Sequence, residues 1–260
     1  MTLKTKSRSF HDMMFKARHT CRMAENAADL EAAQALRHAC FIASTGAAPR
    51  EDGLDGDAFD EICQHVLVEE RVSGRLVATF RLLPLTSGAE IGRSYAAQYY
   101  DLASLRAYDK PMVEMGRFCI ANGVKDPDVL RVAWAAMTTY VDETGVGMLF
   151  GCSSFQGTEP KAYADAFAML KERHLAPKRW LPQIKAPNVF NFAKALRKRS
   201  DRAQALRTMP PLLRSYLTMG GWVSDHAVVD PDLNTLHVFT GLEIGAIPPA
   251  RARALRAVAG

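Results

Sequence analysis

The run Met112-Val113-Glu114-Met115-Gly116-Arg117-Phe118-Cys119-Ile120 decides how this chain is read. It is apolar, with β-branched and aromatic residues, and turn formers flank it at Lys110-Pro111 and Asn122-Gly123, so it reads as a strand. Two charges, Glu114 and Arg117, stand inside it. A buried strand rarely carries charge unless the charge is paired or used. Residues three apart on a regular strand face opposite sides. A bulge at Gly116 would bring both side chains to one face, part the strand from its neighbour and free backbone N–H groups. A base, a cation and free amides at one strand break suit acyl transfer. The bland alternative is a Glu–Arg pair that only ties two elements together, and the motif alone leaves both readings open.

Working outward, 65–72 and 75–83 pair as a hairpin around Ser73-Gly74, with Pro84 closing it. Upstream, Asp29 is placed to cap a helix over 30–43, and residues 1–24 form a basic arm. Residues 94–107 read as irregular helix. Asp126-Pro127-Asp128 opens a helix over 129–143, closed by Gly145. A strand over 148–154 and an amphipathic helix over 161–173 follow. Next come a basic helix over 192–207, a short helix over 212–219, strands over 223–228 and 235–240, and a terminal helix from 248. The expected architecture is an α/β mixed sheet with helices on both faces, its 112–154 unit a right-handed parallel crossover. Residues 25–175 form the core. Residues 176–260 form a basic helical C-terminal extension with a late β-hairpin, packed on the core.

At 260 residues with 48% hydrophobic content the chain supports a sizeable core. It holds no apolar run long enough to span a bilayer, and residues 1–22 lack the apolar stretch of a secretory signal. Five widely spaced cysteines without a C-x-x-C pair point to reduced thiols in a cytoplasmic chain. The histidines form no ligand cluster with them, so no metal is expected. The net charge of +5 is segregated: residues 25–70 carry eleven acids against Arg37 and Arg50, and residues 171–214 carry twelve Lys/Arg against Glu172 and Asp201. That asymmetry suggests an acidic partner for the second half, among nucleic acid, an anionic membrane and a small acidic protein, or else a solvated face.

Four motifs carry a resemblance. Arg37-His-Ala-Cys-Phe41 lies on the first helix, Asp57 and Asp60 precede the hairpin, Arg81-Leu-Leu-Pro84 closes it, and Glu114-Met-Gly-Arg117-Phe118 lies on the central strand. In that order they resemble the acyl-homoserine-lactone synthases of the GNAT acyltransferase fold. The whole chain is more similar to a sister group, the bacterial ornithine-acyl-ACP N-acyltransferases of aminolipid synthesis. Ser94-Tyr-Ala-Ala-Gln-Tyr-Tyr100, Gly151-Cys-Ser-Ser-Phe155-Gln-Gly-Thr158, Pro211-Leu-Leu-Arg-Ser-Tyr216, Gly220-Gly-Trp-Val223 and Leu236-His-Val-Phe-Thr-Gly241 carry that likeness. The resemblance implies transfer of a 3-hydroxy fatty acyl group from acyl carrier protein to the α-amine of ornithine. Glutamine, lysine or lactone synthesis are the alternatives within the enzyme class, and a degenerate basic binding module lies outside it. Where acetyl-CoA enzymes have a Gly-rich pyrophosphate loop, this chain has Ala121-Asn-Gly-Val-Lys-Asp-Pro-Asp128. One glycine and two acids would hold a pyrophosphate poorly. A phosphopantetheine arm on a carrier protein needs no such loop, so no bound cofactor is expected.

In this reading Glu114 takes the amine's proton, and backbone N–H groups at Phe118, Cys119 and Ile120 meet the oxyanion. Arg81 or Arg117 grips the substrate carboxylate. Arg37, Asp57 and Asp60 either contact substrate or form an ion-pair network bracing the first helix. Cys152 is a weak candidate nucleophile, and His174, His226 and His237 read as structural or surface residues. Lys194, Arg197, Lys198, Arg199 and Arg202, on one amphipathic helix with Leu196, Ala203 and Leu206, offer a surface to carrier protein or to the anionic inner membrane. Nucleic acid is not the expected partner.

Overall fold

The structure, a computed structural model, describes residues 18–45, 51–197 and 199–259. In chain order the elements are β1 (His19–Met23), α1 (Ala27–His38), β2 (Gln64–Glu70), β3 (Leu76–Leu85), β4 (Tyr100–Asp101), β5 (Met112–Ile120), α2 (Pro127–Thr144), β6 (Met148–Gln156) and α3 (Ala164–Arg173). They continue with β7 (Gln183–Ile184), β8 (Val189–Phe190), α4 (Phe192–Ala195), α5 (Arg202–Thr208), α6 (Pro211–Thr218), β9 (Trp222–Val223), β10 (Ala227–Asp230), β11 (Thr235–Glu243) and α7 (Pro249–Ala259).

The main sheet runs β1-β2-β3-β5-β6-β11-β10-β8, with β9 on β11. Its junctions are antiparallel except β5–β6, which is parallel because α2 carries the chain back across the sheet. Strand β11 lies along the whole of β6, from Thr235↔Gln156 to Glu243↔Met148, so the sheet runs continuously across the expected boundary at 175–176. Alternation on β6 sends Leu149 into a core with Val132, Ala133 and Met137 of α2. It sends Met148 and Phe150 to the opposite face, against Tyr100, Leu105 and Phe239. Asp126 caps α2 by accepting the Asp128 N–H, Pro127 fills the first turn, and Gly145 ends the helix at φ 68°.

Several expectations need correcting. Residues 19–23 are a strand paired with β2 rather than part of an arm; residues 1–17 lie outside the described residues. Helix α1 is capped by Asn26, and Asp29 sits in its first turn, donating its N–H to Asn26 and ion-pairing with Arg22. Pro84 lies inside β3. Strand β2 reaches only Gln64↔Leu82, so beyond Leu82 that side of β3 has no ladder and the missing N–H costs nothing. The basic helix is broken into α4 and α5. The intervening segment bonds to α3 instead of to itself: Lys171 Nζ donates to Leu196 O at 2.7 Å, and the Ser200 N–H and hydroxyl donate to Glu172 at 2.9 and 2.8 Å. Leu196 therefore does not extend an apolar stripe with Ala203 and Leu206.

The bulge exists, one residue later than expected. Between Arg81↔Gly116 and Thr79↔Cys119, two residues of β5, Arg117 and Phe118, oppose the single residue Phe80. The left-handed backbone belongs to Arg117, φ 52°, and not to Gly116. The parallel pairing with β6 has by then ended, at Glu114↔Phe150. Gly151 follows at the point of parting. A Cβ there would lie 2.3 Å from Met115 O, so a larger residue would push the strands apart sooner.

Candidate active site

The parting of β5 and β6 opens a cleft of about 330 Å³. Its walls include Glu114, Arg117–Ile120 of β5, Cys152–Ser154 of β6, Thr235 and His237 of β11, and the start of α6. A second cavity of about 670 Å³ adjoins it, lined by Asp55, Asp57, Phe59 and Asp230 among others. Tyr95, Arg117, Asp230 and Leu233 belong to both walls.

Glu114 is the last residue of β5 paired to β6 and is 4% exposed. Its two carboxylate oxygens accept backbone N–H bonds from Tyr95 at 2.7 Å and Ala96 at 2.8 Å. Burial pushes the carboxyl up to about 7, against the pull of those two N–H groups and of Arg81. A carboxyl near 7 can hold or release a proton at neutral pH.

Arg37, Asp57, Asp60 and Arg81 come together as the ion-pair network that was one of the two readings. Arg37 donates to Asp60 through Nη1 at 2.8 Å and Nη2 at 2.6 Å, and also bonds the Asp55 carbonyl. Arg81 spans Asp57 Oδ1 at 2.5 Å, Asp57 Oδ2 at 2.9 Å and Asp60 Oδ1 at 2.8 Å. Asp57 and Asp60 also lock each other in a capping box on the turn Ala58–Glu61. The arginines hold both carboxyls below the usual carboxylate range, outweighing burial. Of the two arginines expected to meet a substrate carboxylate, Arg81 is the more heavily paired, with three of its donors turned to Asp57 and Asp60.

Arg117 is placed differently. Its Nη2 donates to Asp57 Oδ2 at 3.3 Å and its Nε stands 3.2 Å from Asp55 Oδ2. The guanidinium stacks over Tyr95 at 5.3 Å and Phe41 at 5.9 Å. Its Nη1 has no hydrogen-bond or ion-pair partner among the described residues and belongs to a side chain on both cavity walls.

Phe118, Cys119 and Ile120 all line the cleft. The Ala121 N–H donates to Val77 O on β3. Alternation then turns the Cys119 N–H toward β3 as well and leaves that of Ile120 facing the open side. Cys119 is thereby removed from the set of free amides. Cys152 lines the cleft as a neutral thiol, raised well above its ordinary range by burial and by Glu114 and Asp230, which makes it a poor nucleophile. Lys194, Arg197, Arg199 and Arg202 are exposed; Lys198 lies outside the described residues.

Five residues here were not foreseen from sequence. Asp55 belongs to an acidic loop with no periodicity to single it out. Tyr95 lies in the stretch Ser94–Tyr100, whose likeness marks out no single residue. Asp230, Thr235 and His237 reach the cleft only because β11 inserts beside β6. His237, read as structural or surface, is 2% exposed and its Nε2 is buried without a hydrogen-bond partner, as is Thr235 Oγ1.

A sheet that parts beside a buried carboxylate, with backbone amides open to the gap, defines an acyltransferase of the GNAT class. The model of the acetyltransferase (GNAT) domain matches residues 36–135. FeeM, an N-acyl amino acid synthase from uncultured soil microbes, shares the fold at a TM-score of 0.50 and 14% identity, over 88% of this chain and 93% of that one. Among curated proteins, the L-ornithine N(alpha)-acyltransferase of Rhodobacter capsulatus is 34% identical, over 87% of this chain and 90% of its own length. That of Agrobacterium fabrum is 30% identical, over 87% and 81%. The chain belongs to the L-ornithine N(alpha)-acyltransferase family.

Proposed function

We propose that this chain moves a 3-hydroxy fatty acyl group from the phosphopantetheine arm of acyl carrier protein to the α-amine of ornithine, giving lyso-ornithine lipid. The observation that carries the chemistry is the Glu114 carboxyl, buried where β5 and β6 part and raised to about 7. The α-amine, its ammonium proton already lost to solvent, attacks the thioester carbon and forms the C–N bond, and Glu114 takes a proton from that nitrogen, directly or through a water. The oxyanion is met by backbone N–H groups on the open edge of β5, that of Ile120 first. Collapse breaks the C–S bond, and the leaving thiolate takes a proton back from Glu114. Arg117 Nη1 receives the amino acid carboxylate.

Two features support a carrier-protein donor over acyl-CoA. The N-terminus of α2, where a pyrophosphate would sit, is already occupied by Asp126 capping the Asp128 N–H, and Asp128 pairs with Arg131 at 3.0 Å. The exposed Lys194, Arg197, Arg199 and Arg202 lie just before α6, whose first residues line the cleft. That surface suits an acidic carrier protein, with anionic headgroups of the membrane as the competing occupant. No helix among the described residues is long and apolar enough to cross a membrane.

The test is mass spectrometry of products from the purified chain with ornithine and either 3-hydroxyacyl carrier protein or the matching acyl-CoA. N-acylornithine formed faster from the carrier-protein thioester is the expected result. Equal kcat/KM for both donors would overturn the donor assignment, and failure to acylate ornithine from either would overturn the acceptor.

A further inference from the structure

The three arginines Arg37, Arg81 and Arg117 are matched by the three aspartates Asp55, Asp57 and Asp60. That cluster is neutral as a whole. The second cavity contains two further carboxylates, Asp230 and Asp232, and its lining holds no Lys or Arg besides Arg117. It is therefore a pocket with an excess of negative charge, and its neutral wall is aromatic: Phe59, Tyr95 and Tyr99.

Asp230 is the distinctive member. It ends β10 and is 4% exposed. Its Oδ1 caps the following turn, accepting the N–H of Asp232 at 3.0 Å and of Leu233 at 3.2 Å. Its Oδ2 has no hydrogen-bond or ion-pair partner among the described residues, and the side chain lines both cavities. A carboxylate on a side chain only 4% exposed, with one oxygen left to the cavities, is placed to take a cation from a ligand. Burial, with Asp232 close by, holds the Asp230 carboxyl above its ordinary range against the pull of the two turn N–H groups and of Arg117.

The neighbouring strand adds a second unpaired group. The Tyr100 hydroxyl donates to His237 O at 2.8 Å and stands 3.1 Å from His237 Nδ1. Having one hydrogen, it can be only an acceptor for Nδ1–H. His237 is then the Nδ1–H tautomer, and the acceptor that remains to it, Nε2, is buried without a partner beside the cleft. The acceptor open to the cavities is the Asp230 oxygen, which complements a cationic N–H donor and opposes a carboxylate.

We propose that Asp230 is the specificity determinant for the acceptor amino acid: it receives the δ-ammonium of ornithine, while Arg117 takes the carboxylate and Glu114 faces the α-amine. The proposal rests on the reading of ornithine as acceptor. Asp232, exposed on the same turn, adds to the field without being buried itself. A neutral side chain of the same length leaves the Asp230 oxygen unpaired and desolvated, which is a strong basis for rejection.

The experiment compares kcat/KM for ornithine and for norvaline, which has the same carbon chain without the δ-ammonium, using one acyl carrier protein thioester. In the wild type ornithine is preferred. In Asp230→Asn, which keeps an Oδ1 for the two turn N–H groups, the ornithine-to-norvaline ratio falls by about 10- to 100-fold. Asp230→Ser, whose hydroxyl can also cap the turn, is read by the same ratio should the Asn variant melt early. A ratio within about threefold of the wild type in a variant that melts like the wild type overturns the assignment of Asp230. A wild type that does not prefer ornithine to norvaline overturns instead the acceptor reading beneath it.

Discussion

Replacing Glu114 with Gln separates catalysis from folding, because the structure sets opposite expectations for the two. The carboxyl stands at about 7 in the folded chain against an ordinary 4.5. A folded-state value above the unfolded one means the folded chain binds the extra proton between those limits. Stability on this account is greatest below pH 4.5, declines as pH rises toward 7, and is about 3 kcal/mol lower beyond it. Glutamine carries no charge and removes that penalty. It also loses one of the two N–H bonds from Tyr95 and Ala96, because its amide offers one acceptor oxygen where the carboxylate offers two, at about 1–3 kcal/mol. The two changes nearly cancel, so Glu114→Gln should melt close to the wild type at pH 8. Its turnover should fall about 10²–10⁴-fold, or about 2.7–5.4 kcal/mol in barrier height. Thiol release from the acyl carrier protein, followed continuously over pH 5.5–9 (a range bracketing about 7), reads both the rate and its pH limb. In the wild type, log kcat/KM should rise with a slope of about two at low pH, one unit from Glu114 and one from the α-amine, whose own value is about 8. In the variant one unit of slope is lost. A variant that turns over like the wild type, or keeps the full slope, would refute Glu114 as the proton acceptor.

Truncating Arg37 to Ala takes one of two arginines from each of the buried Asp60 and Asp55, leaves the cluster one negative charge in excess and should cost about 3–5 kcal/mol of stability by urea denaturation; a loss under about 1 kcal/mol would show that the network is not bracing α1. Because Asp57 and Asp60 lie below the ordinary carboxylate range, their contribution is complete above the unfolded value of about 4 and is lost as pH falls through the folded ones. Acid titration of the Asp60→Asn variant should show that loss blunted. Reversing Arg197, Arg199 and Arg202 to Glu should raise KM for carrier protein and weaken its salt dependence while melting stays near the wild type, since all three are exposed. Unchanged KM together with unchanged binding to anionic vesicles would reduce the basic segment to a solvated face.

What was legible in the sequence was whatever local chemistry dictates. The strand around Glu114, the hairpin before it and the Asp126-Pro127 start of α2 follow from alternation and capping, and the structure keeps them within a few residues. The errors arose where a distant partner overrides a local preference. A run of good helix formers over 192–207 does not stay helical, because Lys171 and Glu172 of α3 offer its backbone and Ser200 other bonds. A proline that reads as a stop sits within β3, because β2 has already ended beside it. The site was legible to the extent that it lies on β5 and in the motifs before it. Asp230 and His237 were not, since only the insertion of β11 beside β6 brings them to the cleft.

Arg117 shows how the network and the proposed base depend on one another. A non-glycine residue at φ 52° costs about 1–2 kcal/mol relative to ordinary backbone. The strain is borne because Asp55, Asp57 and the rings of Tyr95 and Phe41 hold the guanidinium from several sides. In return the backbone just past the parting of β5 and β6 turns Arg117 toward both cavities, on whose walls it stands. The same aspartates have a second consequence. Arg81 lies close enough to Glu114 to pull its carboxyl down, yet the arginine's charge is directed into Asp57 and Asp60 at 2.5–2.9 Å. An unpaired arginine at that distance from a buried carboxylate would hold it firmly ionised, leaving a base too weak to take a proton from an ammonium. With Arg81 turned to Asp57 and Asp60, its pull on Glu114 is outweighed by burial, and the carboxyl stands at about 7.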